Sequence, residues 1–156
     1  MASPEPGKSR VLFLCTGNSC RSQMAEGWAR ALRFDDIEPF SAGTNPQKVN
    51  PLAIRAMAEA GVDISSHKSK HVDDLRNINF DYVVTVCDAA SEACPTFPGN
   101  AKVVHRAFDD PPRLAVDARS DDEAMPHYRR VRDELRSFIQ NLPAALNRSP
   151  GDAPLT

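Results

Sequence analysis

Four cysteines stand at positions 15, 20, 87 and 94 of this 156-residue chain, and their surroundings differ. Cys15 ends the apolar run Arg10-Val-Leu-Phe-Leu-Cys15 and opens the stretch Cys15-Thr-Gly-Asn-Ser-Cys-Arg21-Ser22, a cysteine with Arg-Ser after five intervening residues. Small and polar residues at Thr16, Gly17, Asn18, Ser19 and Cys20 let backbone N–H groups converge on one point. A helix starting at Arg21 would aim its positive end at the same point. Arg21 can add a forked contact to two oxygens of a tetrahedral oxyanion. That field favours the nucleophilic thiolate of Cys15, and the Ser22 hydroxyl can donate a hydrogen bond to it. The loop reads as an oxyanion trap with a nucleophile at its base. The bland alternative is a strand ending in a buried cysteine before an ordinary helix start. The joint occurrence of strand, spacing, Arg-Ser pair and helix argues against it.

Cys87 follows a second apolar run, Phe80 to Val86, and Cys94 comes seven residues later. Two thiols closing into a disulfide release two electrons. Cys87 could instead be only a buried strand-end residue, and Cys94 only a helix cysteine. Zinc is a further rival, with Cys87, Cys94 and His105 as ligands. The six-residue gap is wider than the usual finger spacing and a fourth ligand is not evident, so neither metal nor cofactor is expected. Cys20 has no redox step to perform and is expected to be structural. Asp109 and Asp110 each offer a carboxyl for proton transfer. His67, His71, His105 and His127 show no catalytic spacing. Gly7-Lys8-Ser9 matches the end of a nucleotide P-loop, but Ala2 holds the first-glycine position and the stretch precedes the strand, so it is set aside.

The elements that must position these groups alternate strand and helix. Strands are expected at 10–15, about 37–41, 80–86 and 102–105. Helices are expected at 21–33, from Pro51 to the stop at Gly61, and at about 121–142. Asn50-Pro51 gives a cap followed by proline at the first helical position. Leu52, Ile54, Met57 and Ala60 should form the buried face of that second helix. Met125, Tyr128, Val131, Leu135, Phe138, Ile139 and Leu142 should form that of the last. The pattern predicts an α/β fold, a single-domain three-layer sandwich with a four-stranded parallel sheet flanked by helices. Such sheets bind ligands beyond the carboxyl ends of their strands, where both Cys15 and Cys87 fall. Residues 1–9 and 143–156 read as disordered leader and tail around a domain at 10–142.

Hydrophobic content of 41%, charged content of 26% and a net charge of -2 suit a globular protein and give no basic surface for nucleic acid. The N-terminus lacks a signal-peptide core, and no apolar run approaches the ~18 residues that span a bilayer. A cytoplasmic protein is therefore expected, with reduced thiols, no membrane association and a monomeric state.

The runs CTGNSCRSQMAEGW (15–28), SAGTNPQKVNPLAIRAM (41–57), VVTVCDAASEACP (83–95) and AFDDPP (107–112) resemble the thioredoxin-coupled arsenate reductases. These are a branch of the low-molecular-weight tyrosine phosphatase fold, and the likeness extends from about Arg10 to Leu142. It implies arsenate as substrate, with phosphate or sulfate as mimics, and thioredoxin as reductant; relatives of this fold also use glutathione and glutaredoxin. Cys15 would attack arsenic, with Arg21 and the loop amides holding the oxygens and Asp110 as general acid. Cys87 and then Cys94 would carry the disulfide. Phosphatases of the fold, the alternative reading, carry tyrosines after the acid, whereas Pro111, Pro112 and Arg113 stand there here. If residues 88–94 are helical, about 10.5 Å of helix axis separates Cys87 from Cys94. A disulfide needs Cα atoms within about 4.4–6.8 Å, so the segment would have to unwind during turnover. Some members hold potassium beside the loop. Asn18, Glu26 and Ser41 match that site, but Ser66-His-Lys68-Ser-Lys70 departs from it, and Lys70, or else Lys68, is expected to supply the charge.

Overall fold

The structure is a computed structural model and describes residues 8–87, 101–142 and 146. β1 (Ser9–Cys15), β2 (Ile37–Gly43), β3 (Tyr82–Thr85) and β4 (Lys102–His105) form one sheet in the order β2-β1-β3-β4. All three pairings are parallel. The strand order reverses between β1 and β3, which makes the carboxyl end of that pair the natural crevice for a ligand.

β1 is apolar at every position from Val11 to Leu14 because both of its faces are covered, and all four side chains are inaccessible. Val11, Phe13 and Cys15 join the larger core with α1 (Arg21–Leu32), α2 (Pro51–Glu59) and α4 (Asp121–Gln140). Leu12 and Leu14 point to the other face. There they pack with Val83, Phe80 and the 3-10 turn Val72–Leu75, in a cluster that also holds an edge-on Phe40–Phe80 pair. No described helix is long and apolar enough to cross a membrane.

Local chemistry explains the boundaries. Asn50 caps α2, its Oδ1 accepting from Leu52 N at 2.8 Å, and Pro51 follows at the first helical position. Gly61, at φ +86°, follows the end of that helix, a conformation glycine adopts without strain. Ser120 caps α4 by accepting from Glu123 N at 3.2 Å, and three acidic residues fill the first turn.

Several sequence expectations need correction. α2 buries Ala53, Ala56 and Met57; Leu52 and Ile54 only flank that face, and Ala60, already past the last helical turn, is exposed. β3 is shorter than 80–86, since Phe80 turns into the second core cluster and Asp81 Oδ2 accepts from Arg10 N at 2.7 Å. β2 runs on to Gly43, paired along its whole length with β1, and its proline sits on an edge strand where a missing N–H is tolerated. α4 ends at Gln140, and Phe138 is only partly buried on its stripe. The 3-10 turn and α3 (Pro111–Leu114) were not expected at all. Cys94 and the shape of residues 88–94 lie outside the described residues.

Candidate active site

Cys15 closes β1, and the five residues to Cys20 turn the chain into α1. The orientation of that loop follows from where its carbonyls go. Thr16 O accepts from Asn45 N at 2.9 Å, Gly17 O from Gln47 N at 2.8 Å and Ser19 O from Asn50 N at 2.9 Å. Asn18 O accepts from Ser69 Oγ at 2.7 Å, and Cys20 O from Met24 N at 2.9 Å. Every carbonyl from Thr16 to Cys20 is thus drawn into the surrounding protein. Among the described residues, no acceptor is found for the amides of Gly17, Asn18, Ser19 or Cys20. A ring of donors with no partner among the described residues, beside a helix N-terminus, suits an anion.

Asn18 makes the tight turn possible at φ +46°, in the left-handed region that asparagine tolerates better than most residues. β2 approaches the loop so closely that only a glycine fits at its end. A Cβ on Gly43 would lie 2.4 Å from Thr16 O and 2.9 Å from Cys15 O.

Cys15 is held by a directed chain of hydrogen bonds. Asn18 Oδ1 accepts from the backbone N–H of Lys70 at 2.9 Å, which fixes its amide. Its Nδ2 therefore donates to Ser22 Oγ at 2.9 Å. Ser22 Oγ lies 3.0 Å from Cys15 Sγ, and its hydroxyl proton remains for the sulfur. The arrangement suits a thiolate acceptor. Burial pushes the Cys20 thiol well above the ordinary value, Asp110 and Cys15 add to this, and Arg21 only partly opposes it. Cys20 is the neighbour that keeps its proton.

Arg21 is buried, and its Nη1 donates to Phe108 O at 3.0 Å. Phe108 is brought there because the chain after β4 keeps to β3, with Arg106 N donating to Thr85 O and Phe108 N to Val86 O. Two residues on, Asp110 Oδ1 sits 3.7 Å from Arg21 Nη2 and lines the cavity. Asp109 instead pairs with Arg130 at 2.8 Å on the surface. Of the two rival carboxyls, Asp110 is the one at the site.

The cavity measures about 360 Å³ and is lined by Cys15, the loop, Arg21 and Asp110, with Asn45, Gln47, Asn50 and Pro112 on the outer wall. Among the described residues that line it, none is aromatic. The outer wall was missed from the sequence, where Asn50 showed only as a helix cap. Tyr128 was read only as core; its hydroxyl accepts from Asn50 Nδ2 at 3.1 Å, and its pKa is pushed up to about 12, first by burial and then by Cys20.

Cys87 lies just beyond β3, fully buried in the same apolar cluster as Cys15 and Cys20. Cys87 is disulfide-bonded, whereas Cys15 and Cys20 are free. A disulfide sulfur is not a zinc ligand, which removes the metal reading for Cys87 in this state.

Behind the loop, buried Glu26 accepts from Ser41 Oγ at 2.7 Å and from Arg30 Nε at 3.2 Å. Lys70 Nζ stands 3.9 Å from the same carboxylate and donates to Lys68 O at 3.0 Å. Two cations already face one carboxylate, so the residues do not fit a potassium ion. The side chain of Lys68 is exposed.

A model of the family described as low molecular weight phosphotyrosine protein phosphatase matches residues 10–151. The chain belongs to this family. Within the phosphatase family it is similar to arsenate reductase of Staphylococcus aureus (strain Newman), 45% identical over 134 residues, which is 86% of this chain and 95% of that one. Among solved structures it is similar to an arsenate reductase in the phosphate-binding state, with TM-score 0.72 and 30% identity, covering 89% of this chain and 99% of the other. A thioredoxin-dependent arsenate reductase of Corynebacterium glutamicum gives TM-score 0.56 and 26% identity over 88% of this chain and 64% of that one. These relatives put the chain on the arsenate reductase branch of the phosphatase family.

Proposed function

We propose that this protein reduces arsenate to arsenite through Cys15, Cys87 and Cys94, and that thioredoxin regenerates it. The observation that carries the reading is a second, redox-active sulfur: Cys87, disulfide-bonded, packs in the same buried cluster as the nucleophile. A phosphatase has no use for it. The cavity supports the same choice, since its described lining offers polar donors for a small tetrahedral anion and no aromatic wall for a phosphotyrosine ring.

Arsenate binds against the amides of Gly17 to Cys20, with Arg21 on two of its oxygens. A bound oxyanion competes with Asp110 for the guanidinium, which leaves Asp110 able to carry a proton. The Cys15 thiolate attacks arsenic, and Asp110 protonates the departing hydroxyl as water. The Cys87 thiolate then attacks Cys15 Sγ. An S–S bond forms, the S–As bond breaks, and its electron pair stays on arsenic, which leaves as arsenite. Cys94 next attacks Cys87 and frees the Cys15 thiolate. A disulfide on Cys87 beside a free Cys15 is the state this last step leaves. A thioredoxin dithiol reduces that disulfide, with residues 88–94 changing shape to expose it. Lys70, already beside Glu26, supplies the positive charge behind the loop. The enzyme works as a monomer in the cytoplasm, where thiols are kept reduced.

The test is a single turnover. Pre-reduced protein mixed with arsenate and no reductant should release one equivalent of arsenite, lose two thiols, and stop. Continued hydrolysis of an aryl phosphate without any arsenite would identify a phosphatase instead.

A further inference from the structure

The third residue of α1, Gln23, takes no part in the steps above, is fully buried, and spends both ends of its amide on the loop and its support. Its Nε2 lies 3.1 Å from each of Asn18 O, Asn18 Oδ1 and Lys68 O. Three acceptors around one nitrogen fix the amide, so Oε1 faces His67 Nδ1 at 3.1 Å and that ring nitrogen is the donor. Asn18 therefore has two donors on its side-chain oxygen, Lys70 N and Gln23 Nε2, and two on its carbonyl, Ser69 Oγ and Gln23 Nε2. Among the described residues, Gln23 is the one side chain that reaches both.

We propose that Gln23 is a positioning residue for the nucleophile, holding the left-handed Asn18 so that Asn18 keeps Ser22 aimed at Cys15. Asn18 Nδ2 can donate to Ser22 Oγ only while Asn18 Oδ1 is turned toward Lys70 and Gln23. An Asn18 amide turned the other way would present Oδ1 to Ser22 and draw its single proton away from the sulfur. Without Gln23, Asn18 at φ +46° loses one of the two donors on each oxygen, and the Lys70 N–H alone is left to hold the amide in this orientation. Gln23 also joins this chain to the 67–70 segment. The shape of the nucleophile loop and the packing behind it are thereby one unit.

The inference rests on Cys15 being the reactive sulfur. Its test reads alkylation rather than arsenite formation, so the two can fail separately. The wild type, Gln23→Met and Ser22→Ala are reduced and treated with iodoacetamide across a pH series, with modification at Cys15 followed by mass spectrometry. Methionine keeps the length and bulk of the side chain without its donors. Cys15 alkylation at pH 7 should slow by about fivefold in Gln23→Met, as expected when a hydrogen bond to a charged group is weakened rather than removed. Its pH profile should move to higher pH, while the melting temperature changes little. Adding Gln23→Met to Ser22→Ala should slow alkylation no further, because the effect passes through Ser22. Gln23→Glu provides the test should the methionine variant fail to fold. Its carboxylate would face the two Asn18 oxygens, and the lost reactivity should recover in part at acidic pH, where the acid can donate again. An unmoved pH profile in Gln23→Met, or an effect that adds in full to that of Ser22→Ala, would overturn the proposal.

Discussion

Two thiols five residues apart in one loop meet opposite fates. Cys15 receives the Ser22 hydroxyl at 3.0 Å, whereas burial and the nearby Asp110 hold Cys20 protonated. Differential alkylation of reduced protein at pH 7 should therefore label Cys15 well before Cys20; equal labelling would contradict the assignment. Ser22→Ala should lower kcat/KM for arsenate by about 10- to 100-fold, the range for losing a hydrogen bond to a charged group, with an unchanged circular dichroism spectrum. Behind the loop, Arg30 and Lys70 already face Glu26. Exchanging sodium for potassium at fixed ionic strength should leave turnover unchanged, and strong activation by potassium would refute Lys70 as the resident charge. The residue types at this scale were legible in the sequence: Cys15, Arg21, Ser22 and Asp110 all come to one cavity or its base. Gln23 was not, because a buried glutamine on a helix gives no periodic signal. Its acceptors, Asn18 and Lys68, lie in separate segments.

Elements position the loop through approaches that no local pattern records. The end of β2 crosses so close to the loop that a Cβ at Gly43 would sit 2.4 Å from Thr16 O. Gly43→Ala should displace that carbonyl, weaken arsenate or phosphate binding, and cost about 1–3 kcal/mol of stability as an overpacking change. Thermal melting and an anion-competition assay would show it, and wild-type values in both would refute the close approach. The 45–50 segment does the complementary work of drawing the Thr16, Gly17 and Ser19 carbonyls outward. The strand and helix cores were readable from apolar runs and from caps such as Asn50-Pro51. The misreadings fall where tertiary contact decides. Ala60 carries a helical-face residue type but lies past the end of α2, and α3 is a single turn begun by Pro111 and Pro112, too short for periodicity to reveal.

At the scale of the molecule, a parallel sheet with its switch point between β1 and β3 brings Cys15 and Cys87 from 72 residues apart into one buried cluster. The alternation of strands and helices was enough to foresee that meeting, since ligand sites in such folds gather at the carboxyl ends of central strands. The same packing makes stability pH-dependent. His67 is held below its ordinary value, chiefly by burial, with Glu26 opposing. The folded state therefore disfavours its protonation. Its contribution is fully present above the ordinary histidine value and is lost as pH falls from there through the lowered folded value. Denaturant midpoints of the wild type should fall across that window more steeply than those of His67→Gln, and parallel slopes would count against this linkage. In the proposed relay the capturing sulfur and the electron-delivering sulfurs are different residues. Arsenite formation with thioredoxin, thioredoxin reductase and NADPH tests it most directly, in the wild type and in Cys15→Ala, Cys87→Ala and Cys94→Ala. Sustained turnover is expected in the wild type and none in the three variants; full turnover in Cys87→Ala would overturn the relay.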